Sequence, residues 1–420
     1  MEKYRDGRLM LIRPARPGVV VGLCTIINMI DGFDILISAV TGPAVAQRWG
    51  LTPLQLGVFF SSSLAGMTVG AVGLAPIADR IGRRRAILCS LILITAGMIS
   101  SAAMAGFSLL VVTRIVTGLG VGSLMPAINT VVAETTSARR RELSVCVQSA
   151  GFPLGAAVVA ICATLWPGVG WRSLFIVGGL ASAFLAPLVF YWMPESLRLA
   201  GVASRSSPGP VTAAIGPALS ARSPDVRSGL LRISSHDGWL ILNCFFLLMF
   251  SFYFLANWMP KLLADYGFSS RTSIFAAALM NSGGVFGDLL FAALLTKRPA
   301  RWLGPLFMRL SFVLAVVLGV TPIRTGVLIP VTFALGALLF GSMSSLYAII
   351  PTVYPASVRA TGTGRALGVG RIGAVLGPYV GGIIVSQTQP RAFVLLIMAS
   401  PLLACAILTR RLSNAPFAPD

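Results

Sequence analysis

Residues 17–46 read PGVVVGLCTIINMIDGFDILISAVTGPAVA, an apolar stretch whose only charged side chains are Asp31 and Asp34. A membrane-spanning helix needs about 20 mainly apolar residues, so this stretch is long enough to cross a bilayer. A carboxylate inside a bilayer is costly unless it is paired, protonated or facing water. Because Asp31 and Asp34 are three residues apart, they lie on one side of a helix, about one turn apart. The stretch therefore predicts a membrane protein with a functional site in its first span.

The rest of the chain has the same apolar character. Of its 420 residues, 56% are hydrophobic and only 11% are charged, whereas soluble domains contain about 25% charged residues. The expected fold class is an all-α membrane protein with twelve transmembrane helices. Their predicted centres lie near residues 29, 66, 95, 120, 156, 182, 248, 284, 311, 338, 374 and 400.

A polar segment divides these spans into two sets of six. Residues 194–237 are rich in Ser, Pro, Gly and Arg, a composition typical of a flexible linker. We therefore expect an N-terminal six-helix half at residues 1–193 and a C-terminal six-helix half at residues 238–420.

The charge distribution predicts the orientation. The chain carries 33 Lys+Arg and 13 Asp+Glu, a formal charge of +20. In a soluble protein this excess would indicate a nucleic-acid partner, but these cations lie between apolar spans, so none is expected. They are concentrated in every second loop, in the linker and in both tails, and cytoplasmic loops are the ones enriched in Lys and Arg. We expect a multi-pass protein of the inner (plasma) membrane, surrounded by lipid bilayer, monomeric, with both termini and the linker cytoplasmic.

The sequence does not predict an enzyme. Its six cysteines stand singly in or beside apolar segments, without metal-ligand spacing. Its one histidine, His236, lies beside a span, and no nucleophile has a base at useful spacing. We expect no catalytic residue, no metal site and no cofactor.

The loop after the second span reads Asp79-Arg80-Ile81-Gly82-Arg83-Arg84-Arg85 and resembles the signature loop of the major facilitator superfamily. A carboxylate near a helix N-terminus and arginines at helix ends hold neighbouring helices together. A loop that only set the orientation would need the cations but not the acid or the glycine. Candidates for a conformational latch are therefore Asp79, Arg80, Gly82, Arg83 and Arg84. The resemblance implies the major facilitator fold, with two pseudo-symmetric six-helix halves.

The fourth span contains Arg114, followed by three closely spaced glycines, Gly118, Gly120 and Gly122. This pattern resembles the same helix across that superfamily. Closely spaced glycines allow a neighbouring backbone to approach, and an arginine deep in an apolar run needs a carboxylate or an anionic ligand. The sequence leaves open whether Arg114 pairs with an acid of the first span or binds a substrate anion.

The segment Asp31-Gly32-Phe33-Asp34 is similar to the acid-Gly-aromatic-acid motif of the aromatic acid:proton symporter family, a branch of the same superfamily. That family takes up benzoate-like and hydroxycinnamate-like anions together with protons. The resemblance implies that Asp31 and Asp34 couple transport to protons. Further charged positions match the family, and they imply substrate binding by Arg371 and Arg114 and conformational gating by Glu134 and Arg359.

These implied roles agree with the chemistry of the side chains. An aromatic carboxylate in a low-dielectric cavity needs a fixed cation, and a guanidinium offers a planar two-donor fork. Burial and like-charge repulsion both favour protonation of one of two neighbouring carboxylates. We expect proton-coupled import of a benzoate-, hydroxybenzoate- or cinnamate-like acid by alternating access, with the proton as coupling ion. The alternatives are a carrier for another organic anion or a sugar, an exporter, or a transporter-like membrane sensor.

Four further polar residues lie inside predicted spans. Asp288 is either a member of the central cavity or a partner for Arg309 or Arg371. For the uncharged residues, cavity lining and interhelical hydrogen bonds are equally consistent with the sequence; they are Asn129, Gln148 and Asn281.

Overall fold

The computed structural model describes residues 17–74, 81–137, 141–165, 170–194, 236–320, 325–354, 359–387 and 391–412. Their helices are α1 (Pro17–Trp49), α2 (Pro53–Val69, continued by a π-helical turn, Gly70–Leu74), α3 (Arg83–Ala103), α4 (Phe107–Thr135), α5 (Arg141–Ser149), α6 (Gly151–Leu165), α7 (Trp171–Trp192), α8 (His236–Asp265), α9 (Ser270–Leu295), α10 (Ala300–Val320), α11 (Thr325–Val353), α12 (Arg359–Gln387) and α13 (Arg391–Arg411).

Twelve of the described segments are long and apolar enough to cross a membrane, which confirms the predicted fold class. Every predicted span centre lies inside one of them. Almost all of the predicted linker, residues 195–235, lies outside the described residues.

The fifth span is interrupted between α5 and α6. Pro153 lies in the first turn of α6 and has no backbone N–H, so the carbonyl of Ser149 loses its helical donor. Asn28 of α1 replaces that donor, since its Nδ2 donates to the carbonyl oxygens of Gln148 at 2.9 Å and Ser149 at 3.4 Å. The interruption is therefore bonded to the first span.

The two halves use the same helix pairings. In the first half α1 packs against α6, α2 against α4, and α3 against α7. In the second half the equivalent pairs are α8 with α12, α9 with α11, and α10 with α13. This repeated arrangement is the pseudo-symmetry expected from the sequence.

The glycines of α4 permit one of these pairings. A Cβ at Gly118 would collide with the carbonyl oxygen of Ser63, and one at Gly122 with that of Met67. Because both contacted atoms belong to the α2 backbone, only glycine allows the two helices to approach so closely.

The halves meet along α2 and α12, along α6 and α9, and along α1 and α8. We call the side on which α1 begins and α13 ends the terminal side, and the opposite side the far side. Toward the far side, Ser61 donates to the carbonyl of Val375 at 2.7 Å, and Phe60 meets Trp258 edge-on at 5.3 Å between ring centroids. The structure is thus closed at the far side.

Candidate functional site

Asp34 and Arg114 form an ion pair inside the N-terminal half. Nη1 of Arg114 donates to Oδ1 of Asp34 at 2.6 Å, and both side chains are 0% exposed. Nη2 donates to the Asp34 carbonyl oxygen at 3.0 Å and to Oγ of Ser38 at 3.1 Å. Ser63 of α2 donates to the other carboxylate oxygen at 2.6 Å. The pair therefore connects α1, α2 and α4, and the partner of Arg114 in this conformation is an acid of the first span.

Asp31 has different surroundings from Asp34, although it lies one turn away on the same helix. Its side chain is buried, and its Oδ1 has no hydrogen-bond partner among the described residues. Arg371 of α12 and Asp34 are the charged groups that interact with it electrostatically. Asp31 thus lies at the contact between the two halves and forms no ion pair with another described residue.

Arg371 is half-buried, and no carboxylate of the described residues lies within ion-pair distance of it. It interacts electrostatically with Asp31, with Tyr253 of α8 and with Tyr347 of α11. Tyr347 packs edge-on against Phe245, with ring centroids 5.6 Å apart. A guanidinium that has no carboxylate partner among the described residues and interacts with two tyrosines has the chemistry required to hold an aromatic carboxylate.

Asp288 does not pair with either arginine considered from the sequence. It accepts a hydrogen bond from Ser344 of α11 at 2.6 Å and interacts electrostatically with Tyr347. Arg309 instead donates to the carbonyl of Pro305 in its own helix at 3.0 Å. Asp288 is therefore connected to the Arg371 cluster through Tyr347, as a polar member of the C-terminal half.

The three uncharged candidates lie in different places. Asn129 is exposed near the terminal end of α4. Asn281 is buried and donates to the carbonyl of Ala277 in its own helix. Gln148 is buried at the interruption of the fifth span, and its Oε1 has no partner among the described residues. Only Gln148 lies beside the first span, through the contact of Asn28 with its backbone.

The latch candidates are described only in part. Asp79 and Arg80 lie outside the described residues. Gly82 has φ 99°, a left-handed conformation that favours glycine, and Arg83 is buried at the start of α3. The guanidinium of Arg84 lies 4.6 Å from the centroid of the Phe190 ring at the end of α7. The basic start of α3 thus packs against the terminal end of α7.

The two remaining gating candidates lie at helix ends. Glu134 is exposed at the terminal end of α4, and Arg359 begins α12, although its side chain lies outside the described set. Glu134 is not part of the Asp34–Arg114 pair or of the Arg371 cluster.

Sequence reasoning missed Ser63, Tyr347 and Asn28. Ser63 is the last of three consecutive serines in an apolar span, an unusual run that signals a polar contact. Tyr347 follows two serines in the tenth span, and Asn28 precedes Asp31 by three residues, the spacing that places two residues on one helix face.

Comparisons with known proteins agree with this architecture. The chain is 31% identical over 369 residues to the 3-(3-hydroxy-phenyl)propionate transporter of Escherichia coli K12, covering 87% of this chain and 86% of that protein. It is 32% identical over 383 residues to the 4-hydroxybenzoate transporter of Pseudomonas putida, covering 86% and 85%. In fold it is similar to a D-xylose-proton symporter, with a TM-score of 0.77 at 15% identity, covering 94% of this chain and 97% of that structure.

The family follows from the extent of these matches. Residues 23–364 match the family model of the Major Facilitator Superfamily, which is most of the chain. With twelve candidate spans, repeated helix pairings and relatives that align over more than four fifths of its length, this chain belongs to the Major Facilitator Superfamily.

Proposed function

We propose that this protein imports an aromatic carboxylate together with protons by alternating access. The observation that carries the proposal is the position of Arg371: a guanidinium of the C-terminal half without a carboxylate partner among the described residues, beside Asp31 of the N-terminal half. Membership of a transporter superfamily also agrees with the prediction that the chain is not an enzyme.

The substrate class rests on two further observations. Relatives at 31% and 32% identity are named as transporters of hydroxylated aromatic acids. In this chain Tyr253 and Tyr347 interact electrostatically with the Arg371 guanidinium, and Phe245 packs against Tyr347. Rings next to a cation suit a ligand that combines an aromatic ring with a carboxylate.

The two acids of the first span have separate roles in this proposal. Asp34 neutralises Arg114 and holds α1 against α2 and α4. Asp31 takes up the proton, because it lies between the halves with a carboxylate oxygen that has no hydrogen-bond partner among the described residues. A neutral Asp31 leaves the full charge of Arg371 for the substrate carboxylate, so proton binding and anion binding favour each other.

Transport follows from the position of this site between the halves. When Asp31 is protonated and Arg371 binds the substrate anion, the charges at the interface are balanced and the halves close around the bound substrate. Departure of the anion restores the attraction between Arg371 and ionised Asp31. Two of the contacts across the far side are the packing of Phe60 on Trp258 and the hydrogen bond from Ser61 to the Val375 carbonyl. Both break when the site opens to that side.

The orientation is also part of the proposal. Cations concentrated in alternate loops and both tails favour a cytoplasmic terminal side in the inner membrane. The far-side closure described above then corresponds to a state facing the cytoplasm. One polypeptide contains both halves of the site, so a monomer is sufficient for transport.

Uptake by proteoliposomes tests the proposal. Purified protein is reconstituted, and accumulation of labelled benzoate, 4-hydroxybenzoate, cinnamate, xylose and succinate is measured with and without an inward proton gradient. We expect gradient-stimulated accumulation of at least one aromatic acid and of neither xylose nor succinate. Accumulation of xylose or succinate alone would assign another substrate class. Extrusion of an aromatic acid against the imposed gradient would assign an exporter, and binding without any flux would assign a sensor.

A further inference from the structure

A group of hydrogen-bond acceptors without donors lies next to Asp31. The buried oxygens Oδ1 of Asn28, Oδ1 of Asp31 and Oε1 of Gln148 have no partner among the described residues. Their side chains are 1%, 3% and 1% exposed. A buried polar atom left without a partner is destabilising. All three atoms are acceptors; the fourth unpaired buried side-chain atom among the described residues is a donor, Nε of Arg114, whose guanidinium is paired with Asp34.

The three residues lie close together for structural reasons. Asn28 and Asp31 are one helical turn apart on the same side of α1. Nδ2 of Asn28 donates to the backbone oxygen of Gln148 at 2.9 Å, which fixes the orientation of its amide and brings α1 against the interrupted fifth span. Since α1 begins at the terminal side, Asn28 lies one turn closer to that side than Asp31.

A single water molecule bonded to all three oxygens would satisfy them. Water offers two O–H donors and accepts from a third group. With Asp31 protonated, the water accepts the carboxyl O–H and donates to the amide oxygens of Asn28 and Gln148. With Asp31 ionised, the water turns and donates to the carboxylate. An apolar molecule in the same place would form no hydrogen bond with these oxygens. Each protonation state of Asp31 has a matching orientation of the water.

We propose that Asn28 and Gln148 bind a water molecule that carries the proton between Asp31 and the terminal side. This inference rests on the proposed proton-coupled import. In the release step the carboxyl O–H bond of Asp31 breaks and an O–H bond to the water oxygen forms. The water gives one of its own protons to a solvent water on the terminal side, which becomes the hydronium ion that carries the charge away. The water is regenerated, and Asp31 becomes a carboxylate.

The electrostatics favour release by this route. The charged and titratable groups that interact with Asp31 are Arg371 of α12, Asp34 of α1 and Tyr253 of α8. Asp34 is neutralised by Arg114, so the unpaired charge facing the ionised Asp31 is the guanidinium of Arg371. Once the substrate anion has left, this cation stabilises the carboxylate that proton release creates.

The decisive variant is Gln148→Met. It removes the unpaired acceptor with little change in volume and, because Oε1 of Gln148 has no partner among the described residues, it breaks no acceptor contact with them. We expect a thermal stability equal to or above that of the parent, since losing an unsatisfied buried group is neutral or favourable. We also expect gradient-driven uptake at saturating substrate to slow by about tenfold or more. Exchange of labelled for unlabelled 4-hydroxybenzoate and the KM should stay unchanged, because neither requires Asp31 to lose its proton.

Two further variants complete the experiment. Gln148→Glu keeps an acceptor oxygen at the site and should restore most of the uptake rate. Asn243→Leu is the matched control for removal of an amide, since Asn243 is exposed and bonds only within its own helix, and it should leave both uptake and exchange unchanged.

Three results would overturn the relay. One is unchanged gradient-driven uptake by Gln148→Met. Another is a slowing of exchange that equals the slowing of uptake, which would assign Gln148 to the conformational change. The third is a KM that rises for 4-hydroxybenzoate but not for benzoate, which would assign the acceptors to the ring hydroxyl. Failure of the parent protein itself to accumulate any aromatic acid would instead contradict the proposed function.

Discussion

The carboxylate of Asp34 lies 2.6 Å from the guanidinium of Arg114, and both side chains are completely buried. Asp31, one turn away, has no such partner among the described residues. The two acids of one short motif therefore differ in their surroundings: Asp34 is neutralised by a fixed cation, whereas Asp31 is available for the proton exchange proposed above. Several consequences of this difference are measurable.

Breaking the buried pair should destabilise the protein more than removing it. Asp34→Asn leaves the Arg114 charge buried without a carboxylate, and Arg114→Gln leaves the Asp34 charge without a guanidinium. Each single variant should lose about 3–5 kcal/mol. In the double variant no unpaired charge remains, so its loss should be clearly smaller than the sum of the two. Thermal denaturation of the four purified proteins in detergent measures this cycle, and additive losses would show that the two side chains are not coupled.

The hydroxyl of Ser63 should contribute to the same pair. It donates to the second carboxylate oxygen of Asp34 at 2.6 Å, and a hydrogen bond to a charged group is worth about 1.5–3 kcal/mol. Ser63→Ala should therefore lower the melting temperature. The adjacent variant Ser62→Ala is the control, because that hydroxyl bonds to the Phe59 carbonyl within its own helix. Equal effects of the two variants would exclude a special role for Ser63.

Replacing Arg371 by lysine should weaken substrate binding while keeping the charge. A lysine loses the planar fork that holds both carboxylate oxygens. We expect the Kd for 4-hydroxybenzoate to rise about tenfold, which corresponds to about 1.4 kcal/mol. Arg309→Lys is the matched control inside the same half, since Arg309 bonds to the backbone of its own helix. An unchanged Kd in Arg371→Lys would move the carboxylate site to another cation.

Gly32, between the two acids, should not tolerate a side chain. A Cβ there would overlap with the carbonyl oxygen of Phe152 in α6, so Gly32→Ala should force α1 and α6 apart. Gly22→Ala, in the same helix, meets no atom within 4 Å and should be neutral or stabilising, because alanine favours helix by about 1 kcal/mol over glycine. Size-exclusion profiles and melting temperatures compare the two variants. Equal behaviour would contradict the close packing of these helices.

The sequence predicted the fold well because a bilayer restricts the alternatives. A spanning segment must be long, apolar and helical, so the number and position of the spans followed from composition alone. The resemblance of the loop ending at Arg85 then indicated how the twelve helices are arranged. Asp79 and Arg80, two residues on which that resemblance depends, lie outside the described part of the chain.

The site was harder to predict because it depends on helix rotation and on neighbours distant in sequence. Spacing placed Asp31 and Asp34 on one side of α1, but it did not show which of them meets Arg114, 80 residues away from Asp34. Small polar residues such as Ser63 are common in spans, and only their contacts show which ones matter. The capping of the fifth span by Asn28 depends on the interruption near Pro153, which hydropathy does not reveal.

Coupling of substrate entry to proton movement can be measured without any imposed gradient. Proteoliposomes containing a pH-sensitive dye are given 4-hydroxybenzoate from outside, without any imposed gradient, and internal pH is followed in the parent protein and in Asp31→Asn. The account predicts substrate-dependent internal acidification in the parent protein, and none in the variant, which should still exchange labelled for unlabelled substrate. Acidification that persists in Asp31→Asn, or substrate entry into the parent liposomes without proton movement, would contradict it.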